Sequence, residues 1–521
     1  MNKGVIYLIF LVINSIAIRL YFTIATGQPV SVDAWQLIKN TEIGKETGYI
    51  STEIKNIDKY NINWPLSQIF GIIISIVFGI EVKDAMRMGF PLIASLSPVI
   101  LFTLSLKITR NSLISFLASL FLANYTYNVF FSSGVTKETF AYPFFIYSLI
   151  TFLLIFKNKK FILIFFISAF VLLFSHHFTL SILYIILLFF LLNYLIFSII
   201  KKKIINKESI ISFILFNIFI FFYYQFYVNK EIFYFLNLSD ILTFFSYQIF
   251  ILLIFIKTKI INSYNKLSKK IFIIFIFFIF LYILNFFLNI FPYNYIYSSY
   301  YLISAVNYSI FLFFILLAYR EIKINGDYIV KLFLLAWPAS IFAFYLYAFF
   351  GANFLLSITL SKRLLNFLFP STFLLVSYLL AKNKKYIIFS IIIIILFFVQ
   401  IFYIYPLKIN YSGYQWLYNE EEIECFKWLE KYHENNKVLG DIKTSYALYY
   451  YNVTVNPYES YLYFFENKKV EKSLIVLYRE ILKNGFVLTD YGEKLKPEFI
   501  AKIYEKSIVF SNYETVVLYD N

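Results

Sequence analysis

Few residues in this 521-residue chain have the type and spacing to do chemistry, because it holds three histidines, one cysteine and 30 Asp or Glu. The earliest candidate is Asp33 in Val-Asp-Ala-Trp, shortly after the first apolar run. A carboxylate kept close to apolar surroundings is costly and tends to be functional. Such a group can take the proton of a hydroxyl as that hydroxyl attacks. The plain alternative is a helix N-cap, since Asp ahead of Ala-Trp-Gln-Leu starts a helix well.

The second candidate is Lys137-Glu138 within Ser-Ser-Gly-Val-Thr-Lys-Glu-Thr. Glu138 can bind a cation or a sugar hydroxyl, and Lys137 can act as a point charge toward a phosphate. Against this stands an ordinary solvated turn, with Thr136 as N-cap and Glu138 favoured by the dipole of the first turn. The third is His176-His177. Adjacent histidines on a helix diverge by about 100°, so they make poor joint ligands for one metal. One of them suits a hydrogen bond to substrate and the other a packed position. The fourth is Lys362-Arg363, a cation pair that can hold a lipid phosphate, Arg being suited to bidentate recognition. The competing reading is snorkelling to headgroups.

What positions these groups is a membrane. Hydrophobic residues make up 60% of the chain and charged ones 15%, too few for the surfaces of several soluble domains. Apolar stretches of roughly 20 residues recur to about residue 405, each long enough to cross about 30 Å of hydrocarbon. The net charge of +16 does not mark nucleic-acid binding, because Lys and Arg cluster between the apolar runs, where they set topology. The lone Cys425 excludes an intramolecular disulfide and a Cys-based zinc site. The first run carries Arg19 and lacks a small-residue cleavage pattern, so it reads as a retained span.

The basic clusters at residues 3, 107–110, 157–160, 201–203, 257–270, 320–331 and 382–385 fall on one side, with Lys362-Arg363 standing against that trend on the other, if the spans are approximately 4–25, 86–106, 112–131, 139–156, 161–175, 180–200, 208–228, 241–256, 271–291, 300–319, 332–350, 363–381 and 386–405. The fold class expected is thus a polytopic α-helical membrane protein of about 13 transmembrane helices. Its N-terminus is cytoplasmic and a small α/β domain lies outside. The transmembrane domain covers residues 1–405 and the soluble domain residues 406–521. Residues 26–85 form a long external loop with interfacial helices; counting 64–80 as a span would invert every later basic cluster, so that segment is expected to lie in the interface. Residues 161–200 make a hairpin turning at Ser175-His176-His177. In the tail a helix is expected over 420–434, with strands at 437–441, 473–479, 485–490, 502–510 and 515–519.

In their order and shared sidedness these parts resemble the GT-C superfamily of membrane glycosyltransferases, including archaeal and bacterial members. The match runs through Val-Asp-Ala-Trp, the Asn-Trp-Pro-Leu-Ser-Gln-Ile-Phe-Gly segment, Gly-Val-Thr-Lys-Glu-Thr-Phe-Ala-Tyr-Pro, Ser-His-His-Phe-Thr and the Lys-Arg pair. It ends in the soluble tail. The resemblance implies inversion at the anomeric carbon, with a polyprenyl-phosphate sugar as donor. It makes Asp33 the base and Glu138 the second-loop acid, with Lys137, His176, His177, Lys362 and Arg363 as substrate-binding residues. Ala34 follows Asp33, so the paired Asp-Glu of protein O-mannosyltransferases is absent, and so is the Trp-Trp-Asp-Tyr-Gly signature of oligosaccharyltransferases. Transfer of a monosaccharide to a lipid, glycan or protein acceptor is the subtype implied. No resident cofactor is asked for; a divalent metal stays compatible but unsupported.

The chemistry fits, since a departing polyprenyl phosphate needs cations around it more than a strong acid. The alternative class is a multi-spanning transporter or flippase of a lipid-linked or small substrate. Transporters commonly place charged or broken helices near the midplane in repeated halves, and no such repeat is present here.

Overall fold

The computed structural model describes residues 3–51, 58–228, 238–260, 318, 322, 328–352, 354–382, 387–403, 416–434, 436–466, 468, 470, 472–479, 486–488, 492–495, 497–503 and 505–520. The expected spans at 271–291 and 300–319 lie outside these residues, apart from Ala318. Among the described residues, eight helices are long and apolar enough to cross a membrane. They are Lys3–Thr26, Val82–Thr109, Lys137–Ile155, His177–Ile200, Lys207–Phe226, Ser239–Thr258, Tyr328–Phe350 and Arg363–Ala381. Side chains such as Ile6, Ile9, Phe10 and Ile13 on the first helix, and Ile211, Ile214, Phe221 and Phe222 further on, are exposed. Apolar surface arrayed this way on long helices is satisfied by lipid, and the protein is a helical membrane protein.

In chain order the helices used below are α1 (Lys3–Thr26), α2 (Asp33–Thr47), α3 (Lys59–Ile62), α4 (Leu66–Phe78), α5 (Val82–Ala94), α6 (Leu96–Thr109), α7 (Ser112–Asn124) and α8 (Thr126–Ser132). They continue with α9 (Lys137–Ile155), α10 (Phe161–Ser175), α11 (His177–Ile200), α12 (Lys207–Phe226), α13 (Leu238–Phe255), α14 (Tyr328–Phe350), α15 (Phe354–Lys382) and α16 (Ile387–Tyr403). Helix α4 has 13 residues. Such a helix is about 20 Å long, which is short of a hydrocarbon core. Pro65 precedes it, and Gly79 closes it in the left-handed conformation at φ 63°, as a C-terminal glycine commonly does.

The segment expected as one span over 112–131 is broken. Helices α7 and α8 meet at Tyr125 with a bend of 61°. Arg19 of α1, fully buried, ties the break together. Its Nη2 donates to Asn128 Oδ1 at 3.1 Å and its Nη1 to Ser15 Oγ at 2.8 Å, with the α7 carbonyl of Ala123 at 3.5 Å. A cation beside a helix C-terminus meets the carbonyls that the break leaves unpaired.

The C-terminal part comprises α17 (Glu420–Tyr432), β1 (Lys437–Leu439), α18 (Ile442–Tyr450), α19 (Pro457–Glu466), β2 (Ser473–Tyr478), the hairpin β3 (Phe486–Leu488) and β4 (Gly492–Lys494), α20 (Pro497–Ile503), β5 (Ser507–Ser511) and β6 (Thr515–Asp520). The main sheet has the order β1-β2-β6-β5. Strand β1 runs parallel to β2, while β6 is antiparallel to both of its neighbours. The expected strand at 502–510 begins only at Ser507, because Pro497 opens a helix that runs to Ile503, a position where proline costs no hydrogen bond. Three helices, at 442–450, 457–466 and 497–503, were not foreseen. Asn419 and Glu422 close a capping box at the start of α17, pairing two backbone donors that would otherwise be orphaned. Inside, Lys443 Nζ donates to Glu422 Oε1 at 2.8 Å with both side chains buried, and the ammonium lies 4.8 and 4.9 Å from the ring centroids of Tyr418 and Tyr478.

Candidate active site

Asp33, Lys137, Glu138, His176, His177 and Arg363 converge where α2, α3, the start of α9, the α10–α11 junction and α15 meet. The side chain of Lys362 lies outside the described residues.

The start of α9 sets two of these groups. Thr136 is the N-cap, its Oγ1 accepting the Thr139 amide hydrogen at 3.0 Å. The cap expected from the sequence is therefore present, and Glu138 stands in the first turn. The solvated turn is not: Lys137 is 8% and Glu138 1% exposed. Burial of two charges demands partners. Glu138 Oε2 accepts from Arg363 Nε at 2.9 Å and from Nη2 at 2.5 Å. Arg363 thus turns inward to a carboxylate instead of snorkelling, with Cζ 4.6 Å from the centroid of Phe178. Its Nη1 makes no hydrogen bond among the described residues.

His176 is not on a helix but at the N-cap of α11, in an extended conformation. Its Nε2 lies 3.2 Å from Arg363 Nη2 and its Nδ1 2.7 Å from Thr179 Oγ1. The guanidinium donor faces Nε2 and the Thr179 amide, 3.3 Å away, donates to Nδ1, so donors meet both ring nitrogens and nothing favours a protonated ring. His176 therefore acts as a neutral prop behind Arg363. His177 faces elsewhere. Its ring packs against Trp64 at 4.6 Å, and its Nδ1 lies 3.4 Å from the Tyr60 hydroxyl.

Lys137 Nζ has no hydrogen-bond partner among the described residues, and neither does Glu138 Oε1. The ammonium sits over two aromatic faces, 4.0 Å from the Tyr60 centroid and 4.8 Å from that of Trp64. Ring faces stabilise a desolvated cation without using its three N–H donors. Those donors stay available to a ligand oxygen.

Asp33 occupies the first turn of α2, not the N-cap, which falls on Val32 and has no side-chain bond. The capping alternative is thereby answered. The Asp33 carboxylate makes no hydrogen bond among the described residues, and the residue is exposed. It nevertheless stands amid crowding protein, and desolvation pushes its pKa above the ordinary value of 3.8, because burial penalises the charged form. The Arg363 and Lys137 cations oppose that rise, and Asp58 adds to it. The carboxylate is thus reachable from solvent while packed protein around it disfavours its charge.

Three neighbours were not among the expected site residues: Asp58, Tyr60 and Trp64, the last lying in the Asn-Trp-Pro-Leu segment of the resemblance. Asp58 caps α3, its Oδ1 accepting the Tyr60 amide hydrogen at 3.0 Å. Asn40 of α2 clasps the Asp58 backbone on both sides, at 3.0 and 2.9 Å. Burial raises the Asp58 pKa, opposed first by the Tyr60 amide and then by the Lys137 charge. Burial likewise pushes the Tyr60 hydroxyl up to about 12. The signal available in the sequence was an Asp three residues ahead of an Asn, with one aromatic just before that Asn and a second just before a proline.

Among the described residues, no group of three or more His, Cys, Asp or Glu is placed to hold a metal ion. Beside the polar cluster, α4 and α5 enclose an apolar groove of about 360 Å³ lined by residues such as Phe70, Phe78, Met88 and Leu92. Phe70 also packs on Phe140 of α9 at 5.2 Å. The cluster can accept a proton at Asp33 and can hold an anionic oxygen between Lys137 Nζ and Arg363 Nη1.

No protein-family model matches this sequence, and no curated protein matches it. The fold is similar to the crystal structure of ArnT from Cupriavidus metallidurans bound to undecaprenyl phosphate, with a TM-score of 0.40 and 10% identity, covering 100% of this chain and 98% of that one. It is similar as well to the apo crystal structure of ArnT from the same organism, with a TM-score of 0.38 and 10% identity, covering 98% of this chain and 97% of that one.

Proposed function

We propose that this protein is an inverting glycosyltransferase that moves a monosaccharide from a polyprenyl-phosphate donor to a polar acceptor at the outer face of the membrane. One observation carries the reading: a carboxylate with no hydrogen bond of its own, Asp33, lies within electrostatic reach of a buried ammonium whose donors are unused. Asp33 is the base toward the acceptor hydroxyl. Lys137 and the Nη1 edge of Arg363 take the phosphate oxygens as the bond to the anomeric carbon breaks, so the leaving anion is met by fixed charge. Glu138 holds Arg363 in place, and His176 supports it from behind. The apolar groove at α4 and α5 lies on the side where the polyprenyl chain would run. The N-terminus is cytoplasmic, and residues 406–521 form an external domain.

The test is Asp33→Asn, which keeps the shape but cannot take a proton. With a polyprenyl-phosphate sugar and an acceptor on which the wild type turns over, the variant should lose transfer while binding polyprenyl phosphate as before. Turnover near that of the wild type would overturn the assignment of the base.

A further inference from the structure

The C-terminal part does more than stand over the site. The helix that carries Asp33, α2, lies between two separate apolar cores. Ala34, Leu37 and Ile38 pack with Val82, Phe90 and Phe140 of the membrane part. Val32 and Trp35 instead belong to the core of the C-terminal part. Trp35 is fully buried, with ring centroids 5.3 Å from Tyr418 and 5.4 Å from Tyr450. Further along the same face, Lys39 Nζ donates to the Tyr449 carbonyl at 2.6 Å and to Asn452 Oδ1 at 2.9 Å. The Tyr450 hydroxyl donates to Glu42 at 3.0 Å.

The entry to α2 is pinned in the same manner. The Ser31 amide donates to the Trp416 carbonyl at 2.8 Å, while the Val30 carbonyl accepts from the Val135 amide at 3.0 Å. Ser31 itself stands at φ 93°, a conformation a non-glycine residue keeps only when its surroundings hold it there. Behind it, the Trp416 ring leans on Phe131 at 5.3 Å and lies so close to Gly134 that a Cβ there would come within 3.0 Å of it. The Asp33 carboxylate has no hydrogen bond of its own, so its location follows entirely from where the backbone of α2 begins.

We infer that Trp35 and Lys39 are positioning residues, through which the C-terminal part fixes Asp33 in register with Lys137 and Arg363. The inference rests on Asp33 being the base, as set out above. Lys137 and Arg363 are carried by α9 and α15, so loss of the clamp disturbs the base and leaves the phosphate-binding groups in place.

The experiment uses the full-length protein in nanodiscs, with Trp35→Ala, Trp35→Phe and Lys39→Met. Three readouts are taken: amide hydrogen exchange over residues 34–41, kcat with a polyprenyl-phosphate sugar, and affinity for polyprenyl phosphate alone. Trp35→Ala should speed exchange in α2 at least tenfold and lower kcat on the order of a hundredfold, the effect of misplacing a reacting group by about 1 Å. Polyprenyl-phosphate affinity should stay within about twofold of wild type, and Trp35→Phe should restore most of kcat. Lys39→Met should move exchange and kcat in the same direction, and it decides the matter should Trp35→Ala fail to fold. Wild-type exchange, or faster exchange with wild-type kcat, overturns the inference. Failure of the base reading looks different: Asp33→Asn would then stay active, whatever the exchange of α2 does.

Discussion

Replacing Arg363 with alanine should weaken the protein in two ways that can be read apart. Glu138 is 1% exposed, and its one partnered oxygen receives two N–H groups from Arg363. Removing the guanidinium strands a carboxylate where hydration is poor. Breaking a buried pair from one side costs about 3–5 kcal/mol. The Arg363 side chain keeps 29% exposure, which puts the expected loss at the lower end, about 3 kcal/mol. Changing Glu138 to glutamine as well removes the stranded charge, so the double variant should recover about 2 kcal/mol, seen as coupling in a double-mutant cycle. Donor binding behaves otherwise, because both variants lack Nη1. The double variant should bind polyprenyl phosphate about 30-fold more weakly than wild type, equivalent to losing about 2 kcal/mol of charge-assisted hydrogen bonding. Thermal unfolding in detergent reads the first effect, and titration in nanodiscs reads the second. A wild-type unfolding temperature for Arg363→Ala would show that the ion pair holds nothing. Wild-type affinity in the double variant would remove Arg363 from phosphate binding.

The acid limb of kcat/KM should report Asp33. Its pKa is raised, so activity rises with pH through a midpoint above the usual carboxylate range near about 4, because only the ionised form accepts a proton; a profile flat down to that range contradicts this. Lys137→Met should weaken polyprenyl-phosphate binding on the order of tenfold to a hundredfold. Lys137→Arg should not restore it, since position 137 is only 8% exposed and the larger guanidinium would have to shift the packed rings around it; equal affinity in Lys137→Arg refutes that fit. For topology, Tyr513 is 81% exposed and the lone Cys425 is buried, so Tyr513→Cys gives a clean probe. It should react with an impermeant maleimide from outside intact cells, and labelling only after lysis would invert the proposed orientation.

Much of the architecture was written in local patterns. Apolar runs bounded by basic clusters located the helices, and short continuous apolar runs beside turn residues located β2 and β6. The convergence of Asp33, Lys137, Glu138, His176, His177 and Arg363 was legible as shared sidedness, but their pairings were not. Whether Arg363 faces lipid or Glu138, 225 residues away, depends on how α9 and α15 pack, and no local spacing encodes that. The bend at Tyr125 coincides with Asn124-Tyr-Thr-Tyr-Asn128, a polar interruption of the apolar run from Ser112 to Ser132 that the span over 112–131 passed over. Arg19, read only as evidence against signal cleavage, turned out to be what braces that bend. Asp58, Tyr60 and Trp64 were not among the expected site residues because a short capped turn has no periodicity to announce it, and their value as a cage exists only once Lys137 arrives from another element.

The clasp between Lys39 and Asn452 joins positions 413 residues apart. At roughly 5–20 residues per second, the ribosome needs on the order of 20–80 s to travel between them. Through that interval α1 can insert and α2 can settle on α4 and α5, but the wall that meets Trp35 has yet to be made. The surroundings of α2 are thus completed late, although its own residues emerge among the first. A chain that stalls or is cleaved before α18 would sit in the membrane with Lys137 and Arg363 in place and Asp33 loose. Under the proposed function, the order of synthesis lets the protein hold donor before it can use it.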